Sequence, residues 1–394
     1  MNKNFRGLIV DILFPNKYSK WRNVEIKSFI QNYDVDILVS KIDNFANVNY
    51  EFDWDFINSE GLLKDYNIII FDEKYNFLNK WNSNLDGTQY NTTNNFSYLI
   101  TKKDNFNLNS YDFIYHIFLM CYDRFNVSFN FNLNKQFIHL YPGGGFDGSV
   151  NNLHRDVNII STHPITTKNL TSISHPNFTN VWIGSLIGEN ENFVKSKDRS
   201  NREFTVCFSS MGMNSEKGYG EFQLLSKEYS SLYPNDNIRF ITISNNDSTS
   251  NIINHKPMDY LSLGDFYERN VDVYINLATK KCFNGWPIGL ESVIKGCVLI
   301  TTDPDNIKNE YNELTDNEFY IITDYKESIP IIKLLIDDEV ILNEKSIQGQ
   351  NYFKEYLDYD NHQNKIFNFI NNKLSQLKNE KKDISNTLLD TDWC

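Results

Sequence analysis

The chain has 394 residues, 40% of them hydrophobic and 15% aromatic, with a formal net charge of −13. That length exceeds one ordinary core and predicts two domains, and so much apolar surface excludes a disordered chain. The negative balance excludes general binding to duplex nucleic acid, which needs Lys and Arg clustered against phosphate.

At the N-terminus, "MNKNFRGLIVDILF" has an apolar run broken by Arg6 and Asp11 and no small-residue cleavage pattern, so no secretory leader is expected. No run reaches the roughly 18 apolar residues of a membrane span. A soluble cytoplasmic protein without a transmembrane segment is therefore expected. Cys121, Cys207, Cys282, Cys297 and Cys394 are scattered and form no C-x-x-C pair, which predicts free thiols in a reducing compartment.

The first half alternates β-branched runs with longer polar stretches: "GLIVDILF" (7–14), "VDILVS" (35–40), "NIIIFD" (67–72), "FIYHIFLM" (113–120), "QFIHLY" (136–141) and "VNIIST" (157–162). This spacing predicts a parallel sheet with crossover helices, interrupted over 76–109 by a polar insertion or surface hairpin. The basic loop "NKYSKWRN", with Lys17, Lys20 and Arg22, follows the first strand and suits solvent. "ENENFVKSKDRSNR" (189–202) loses its apolar residues and reads as a linker.

A cleaner series follows: strand "EFTVCFSS", helix "YGEFQLLSKEYSSLY", strand "NIRFITIS", helix "DYLSLGDFYERN", strand "DVYINLA", helix "LESVIKG", then strands "CVLITTD" and "EFYIIT". This is a doubly wound α/β pattern. The expected organisation is a Rossmann-like domain over 1–190, a linker over 191–203, a second Rossmann-like domain over 204–350, C-terminal helices over 351–378 and a charged tail over 379–394.

Open α/β sheets bind ligands beyond the carboxyl ends of their strands. There "KCFNGWPIGLESVIKGCVLITTDP" (281–304) places Gly285, Pro287 and Gly289 ahead of Glu291, with a helix expected to begin near Gly289 and to be capped by Gly296. Free N–H groups from Ile288 through Leu290 to Glu291 would favour an anion, and Glu291 in the first turn would accept hydroxyls such as those of a ribose. An ordinary strand-to-helix turn fits the same residues. At the first strand of the same series, "SSMGMNSEKGYGEF" sets Lys217 among Gly212, Gly218 and Gly220 after Ser210, suited to neutralising a diphosphate. A solvated loop lysine is the other reading.

Together these stretches resemble the GT-B glycosyltransferases, in particular their large retaining family four. The resemblance rests on "FTVCFSSMGMNSEKG" and "NGWPIGLESVIKGCVLITTD", and more weakly on "QFIHLYPGGG" and "NVWIGSLIGENENF". It implies two Rossmann-like domains facing a cleft, with a C-terminal helix crossing back to the first. It implies a nucleotide-sugar donor, UDP- or GDP-sugar, with no further cofactor, and transfer of a hexose with retention to a glycan, lipid-linked or protein acceptor. Lys217 would neutralise the diphosphate and Glu291 would hold the ribose. Gly143, Gly144, Gly145, Ser210, Gly212, Lys281, Pro287, Ile288, Gly289 and Leu290 would line the donor.

The chain departs from that pattern in three places. Met211 stands in the vicinity of an expected arginine, leaving Lys280 or Lys281 as the second positive charge. Asn284 replaces the acid that normally meets the donor sugar. Tyr141 stands near the usual first-domain histidine, with His139 two residues earlier on the same strand face, while His163 is a weaker candidate. These departures keep two alternatives open: a sugar-nucleotide-binding scaffold without turnover, and a nucleotide-sugar epimerase. Asp53/Asp55, Asp358/Asp360 and Asp390/Asp392 form D-x-D triplets, but none follows a convincing buried strand, and no metal is expected.

Overall fold

A computed structural model describes residues 4–11, 20–40, 67–71, 89–91, 97–100, 107–140, 153–162, 164–181, 197, 199, 202–210, 216–244, 251–279, 286–304, 318–356 and 359–389. Two sheets organise them. The first has nine strands: β1 (Arg6–Asp11), β2 (Asp34–Ser40), β3 (Asn67–Phe71), β4 (Gln89–Asn91), β5 (Ser97–Ile100), β6 (Phe113–His116), β7 (Gln136–Leu140), β8 (Asn158–Ser161) and β9 (Phe178–Asn180). Their order is β4-β5-β3-β2-β1-β6-β7-β8-β9, parallel except for the β4/β5 hairpin. That hairpin falls inside the polar stretch 76–109 and extends the sheet beyond β3.

Helices α1 (Lys20–Asn32), α2 (Leu119–Ser128) and α3 (Pro164–Ser172) accompany this sheet. The run "FIYHIFLM", expected as one strand, divides into β6 and the start of α2. The Ile117 N–H donates to Val10 O and ends the ladder, while Phe118 turns extended and its carbonyl accepts from Cys121 and Tyr122 N–H to begin the helix.

The second sheet is wholly parallel and comprises β10 (Phe204–Ser210), β11 (Ile238–Ser244), β12 (Ile252–His255), β13 (Val273–Asn276), β14 (Val298–Thr302) and β15 (Tyr320–Ile322), in the order β12-β11-β10-β13-β14-β15. Around it lie α4 (Tyr219–Leu232), α5 (Tyr260–Asn270), α6 (Trp286–Ile294), α7 (Ser328–Asp337) and α8 (Glu339–Tyr356). One core joins β11, β13, β14, α5, α6 and α8 through Ile241, Tyr274, Leu299, Tyr267, Leu290 and Phe353. A second, on the opposite face, joins Phe208, Phe222, Leu225, Ile300 and Ile332.

The last helix, α9 (Tyr359–Leu389), returns to the first sheet. Ile366, Ile370 and Leu374 complete the core formed by Ile9, Phe29, Phe113 and Phe137. Phe29 meets Phe367 edge-on at 5.2 Å, Ser28 donates to Gln363 Oε1 at 2.8 Å, and Lys373 donates to Asn177 at 2.7 Å. The helix continues past Lys378, where a charged tail was expected, to Leu389. Propensity explains this: its last stretch contains neither Gly nor Pro, so nothing breaks the i to i−4 ladder.

Charged residues read as solvent-facing prove to be internal. Arg22 lies inside α1 at 2% exposure, 3.2 Å from the Asp11 carboxylate and over the Phe118 ring. In the segment read as a linker, Lys197 is buried and donates to the Tyr267 and Val271 carbonyls at the end of α5, where the helix dipole favours a cation. Arg199 and Arg202 both grip Asp272.

Candidate functional site

In the second sheet β10 and β13 are neighbours although β11 and β12 intervene in the chain, so the strand order reverses between them. Such a switch point is where doubly wound sheets hold ligands. The ladder between the two strands records only Val206 with Val273 and Cys207 with Tyr274, although both strands run on. Both strands end at the same carboxyl edge.

The turn after β10 is clipped to the exit of β13. Thr279 N–H donates to Glu216 O at 3.2 Å, and Gly218 takes φ +86° as the residue preceding α4. A Cβ on Gly218 would overlap the Leu277 carbonyl oxygen. Gly218→Ala therefore combines a left-handed backbone penalty with a backbone collision, and a loss of about 2–3 kcal/mol in urea unfolding is expected. On the other side of β13, Asn276 Nδ2 donates to Thr301 Oγ1 at 2.9 Å and Thr302 Oγ1 donates to Ala278 O at 2.7 Å. The floor under the turn is thus fixed by its neighbours on both sides.

Lys217 stands on this turn, half-buried. Its ammonium has no hydrogen-bond or ion-pair partner among the described residues, and burial pulls its pKa below that of an ordinary lysine. A desolvated cation without a counter-charge is expensive unless an anion arrives.

α6 begins at Trp286, three residues before the expected start, because Pro287 suits a first turn: its fixed φ is helical and its missing N–H is one that would go unpaired. The free donors at this end are therefore the N–H groups of Trp286, Ile288 and Gly289. Glu291 lies in the second turn, not the first. A Cβ on Gly289 would come within 2.9 Å of Leu299 Cδ1, so this glycine lets α6 settle onto β14. The helix closes as expected at Gly296, with φ +78°, its N–H donating to Val293 O and that of Cys297 to Ser292 O.

Glu291 is half-buried, and its charge reaches two buried tyrosines, Tyr267 of α5 and Tyr274 of β13. Tyr267 and Tyr274 are raised well above the ordinary phenol pKa by burial first, with the Glu291 charge adding to it. Neither tyrosine carries a signal in the sequence, since a Tyr in an apolar strand or helix reads as core. Leu290, beside Glu291, is core, and Ser210 ends β10. Gly143, Gly144, Gly145, Gly212, Lys281 and Asn284 lie outside the described residues, as do Tyr141, His163, Met211 and Lys280.

In the first sheet His139 is fully buried, its Nδ1 2.7 and 2.8 Å from the two carboxylate oxygens of Glu25, to which the Tyr115 hydroxyl also donates. This histidine ties β7 to α1 inside the core. Among the described residues no group of three or more His, Cys, Asp or Glu side chains is gathered as a metal site requires, and Cys121, Cys207 and Cys297 are buried free thiols. No described helix is long and apolar enough to cross a membrane.

No protein-family model and no curated protein sequence matches the chain. Solved structures do resemble it. A point mutant of S. aureus TarM, in complex with fondaparinux, α-GlcNAc-glycerol and UDP, aligns over 93% of this chain and 100% of its own at 10% identity and TM-score 0.57. The E. coli trehalose-6-phosphate structure bound with UDP-2-fluoro glucose aligns over 93% and 98% at 9% identity and TM-score 0.56. The pneumococcal O-GlcNAc transferase GtfA, in complex with UDP and GlcNAc, aligns over 94% and 99% at 10% identity and TM-score 0.52. At such identities the likeness is one of fold, and the fold is GT-B.

Proposed function

We propose that this protein is a metal-independent glycosyltransferase, of the retaining family-four type, that moves a hexose from a UDP- or GDP-sugar to a glycan, lipid-linked or protein acceptor in the cytoplasm. The observation that carries this reading is Lys217: a half-buried cation without a counter-ion among the described residues, on a turn clamped to the exit of β13, at the switch point of a parallel sheet. A diphosphate fits it. The lysine charge and the N–H groups of Trp286, Ile288 and Gly289 would face the two phosphates and stabilise negative charge growing on the leaving nucleotide. Glu291 would accept the ribose hydroxyls, and the loop residues Gly212, Lys281 and Asn284 would close over the donor. Gly143, Gly144 and Gly145 would approach from the first sheet, with 1–190 and 204–350 as the two facing units.

Further support comes from the UDP and UDP-sugar ligands of the proteins that share the fold. The test is calorimetry and thermal shift with UDP-, GDP-, dTDP- and ADP-sugars, followed by a donor-hydrolysis assay. Binding of a UDP- or GDP-sugar with slow hydrolysis is expected. Binding without hydrolysis or transfer marks a scaffold, and no binding of any sugar nucleotide overturns the reading.

A further inference from the structure

Tyr267 carries a buried polar atom that no described residue pairs with. The residue is fully buried in α5, and its hydroxyl has no hydrogen-bond partner among the described residues. A phenylalanine would fill the same space without that unsatisfied group, so packing gives no reason for the oxygen. The ring meets Tyr274 edge-on at 5.8 Å, and both rings share one core with Leu290, Val293 and Ile294 of α6. Glu291 sits on that same helix between these core positions, and its charge acts on both hydroxyls. The Tyr274 hydroxyl already accepts from the backbone of Ser209 at the carboxyl end of β10. Of the two hydroxyls, that of Tyr267 is the one with no partner among the described residues.

We infer that Tyr267 is a positioning residue for Glu291: its hydroxyl donates to the Glu291 carboxylate when a nucleotide is bound, setting the rotamer in which that carboxylate accepts the ribose hydroxyls. The inference rests on the donor-site reading above and extends it by one layer of side chains. A hydroxyl poised under a carboxylate lets a half-buried acid stay charged in the closed site, since hydrogen bonds donated to an ionised group are stronger than neutral ones. In the absence of ligand the same hydroxyl only destabilises the fold.

These statements separate a positioning role from a structural one. UDP and GDP, and the 2′,3′-dideoxy form of whichever binds, are titrated into wild type, Tyr267→Phe, Glu291→Gln and the double variant. Tyr267→Phe is expected to keep or raise Tm while weakening the ribonucleotide about tenfold. The dideoxy form, which has no hydroxyls for Glu291, is expected to bind both proteins equally. In the double variant the losses should fail to add. Unchanged ribonucleotide affinity in Tyr267→Phe, or an equal loss for both forms, overturns the positioning role alone. Wild type that binds neither UDP nor GDP overturns the donor site and this inference together.

Discussion

Lys217→Ala should weaken UDP or GDP binding by about ten- to a hundredfold, the worth of one charge-assisted contact to a diphosphate. The folded protein without nucleotide should lose nothing, because the lysine's desolvation has no compensating partner among the described residues. Isothermal titration and Tm measured side by side test both halves. The pH dependence has a definite sign. Burial lowers the Lys217 pKa in the folded state, so between that value and the ordinary lysine value of about 10.4 the unfolded chain binds more protons. Stability from this group therefore rises with pH across that window. Nucleotide affinity moves the other way: it is full while Lys217 is charged and falls as pH climbs through the lowered pKa. Lys217→Arg should remove the alkaline loss of affinity, since a guanidinium stays charged.

Asp272→Ala should cost about 3–5 kcal/mol of stability, read as a large drop in the denaturant midpoint. The carboxylate is 1% exposed and holds Arg199 at 2.9 Å, Arg202 at 2.6 and 2.7 Å, and the Thr205 N–H at 2.9 Å. Removing it leaves two guanidinium groups and a buried N–H without their acceptor. Burial alone would raise the Asp272 pKa, but the hydrogen bonds and charge of Arg202, the Thr205 N–H and the hydrogen bond from Arg199 outweigh it and the net shift is downward. The folded pKa thus lies below the unfolded value of about 3.9, so this stability is present above that value and is lost as pH falls through the folded one. Asp272→Asn should flatten the acid limb of the stability curve at that point.

Most strands of both sheets were legible because buried parallel strands are uninterrupted β-branched runs, as in "TVCFSS" and "CVLITT", whereas the short edge strands β9 and β12 carry too few apolar residues to be read. The cap at Gly296 was legible for a local reason: one residue in the left-handed region ends a helix. The start of α6 was less so, since Pro287 serves a loop and a first turn equally well until the backbone is seen. Arg22, Lys197, Arg199 and Arg202 could not be placed from the sequence. A charge buried against a distant partner has the same letter as one in water, and the partners of Arg199 and Arg202 lie 73 and 70 residues away. Tyr267 was silent because its ring belongs to the core and only its oxygen is out of place.

The return of α9 also orders events in time. Ser28 and Gln363, which touch in the folded protein, stand 335 positions apart in the chain. A ribosome that has finished the first nine strands has therefore made a sheet whose apolar face, with Phe29, Phe113 and Phe137, still lacks Ile366, Ile370 and Leu374. The second sheet takes all of its strands and its flanking helices α4 to α8 from one continuous later stretch and can close before synthesis ends. The half of the molecule that is born first is completed last, and until α9 emerges its exposed face needs a chaperone or a short wait.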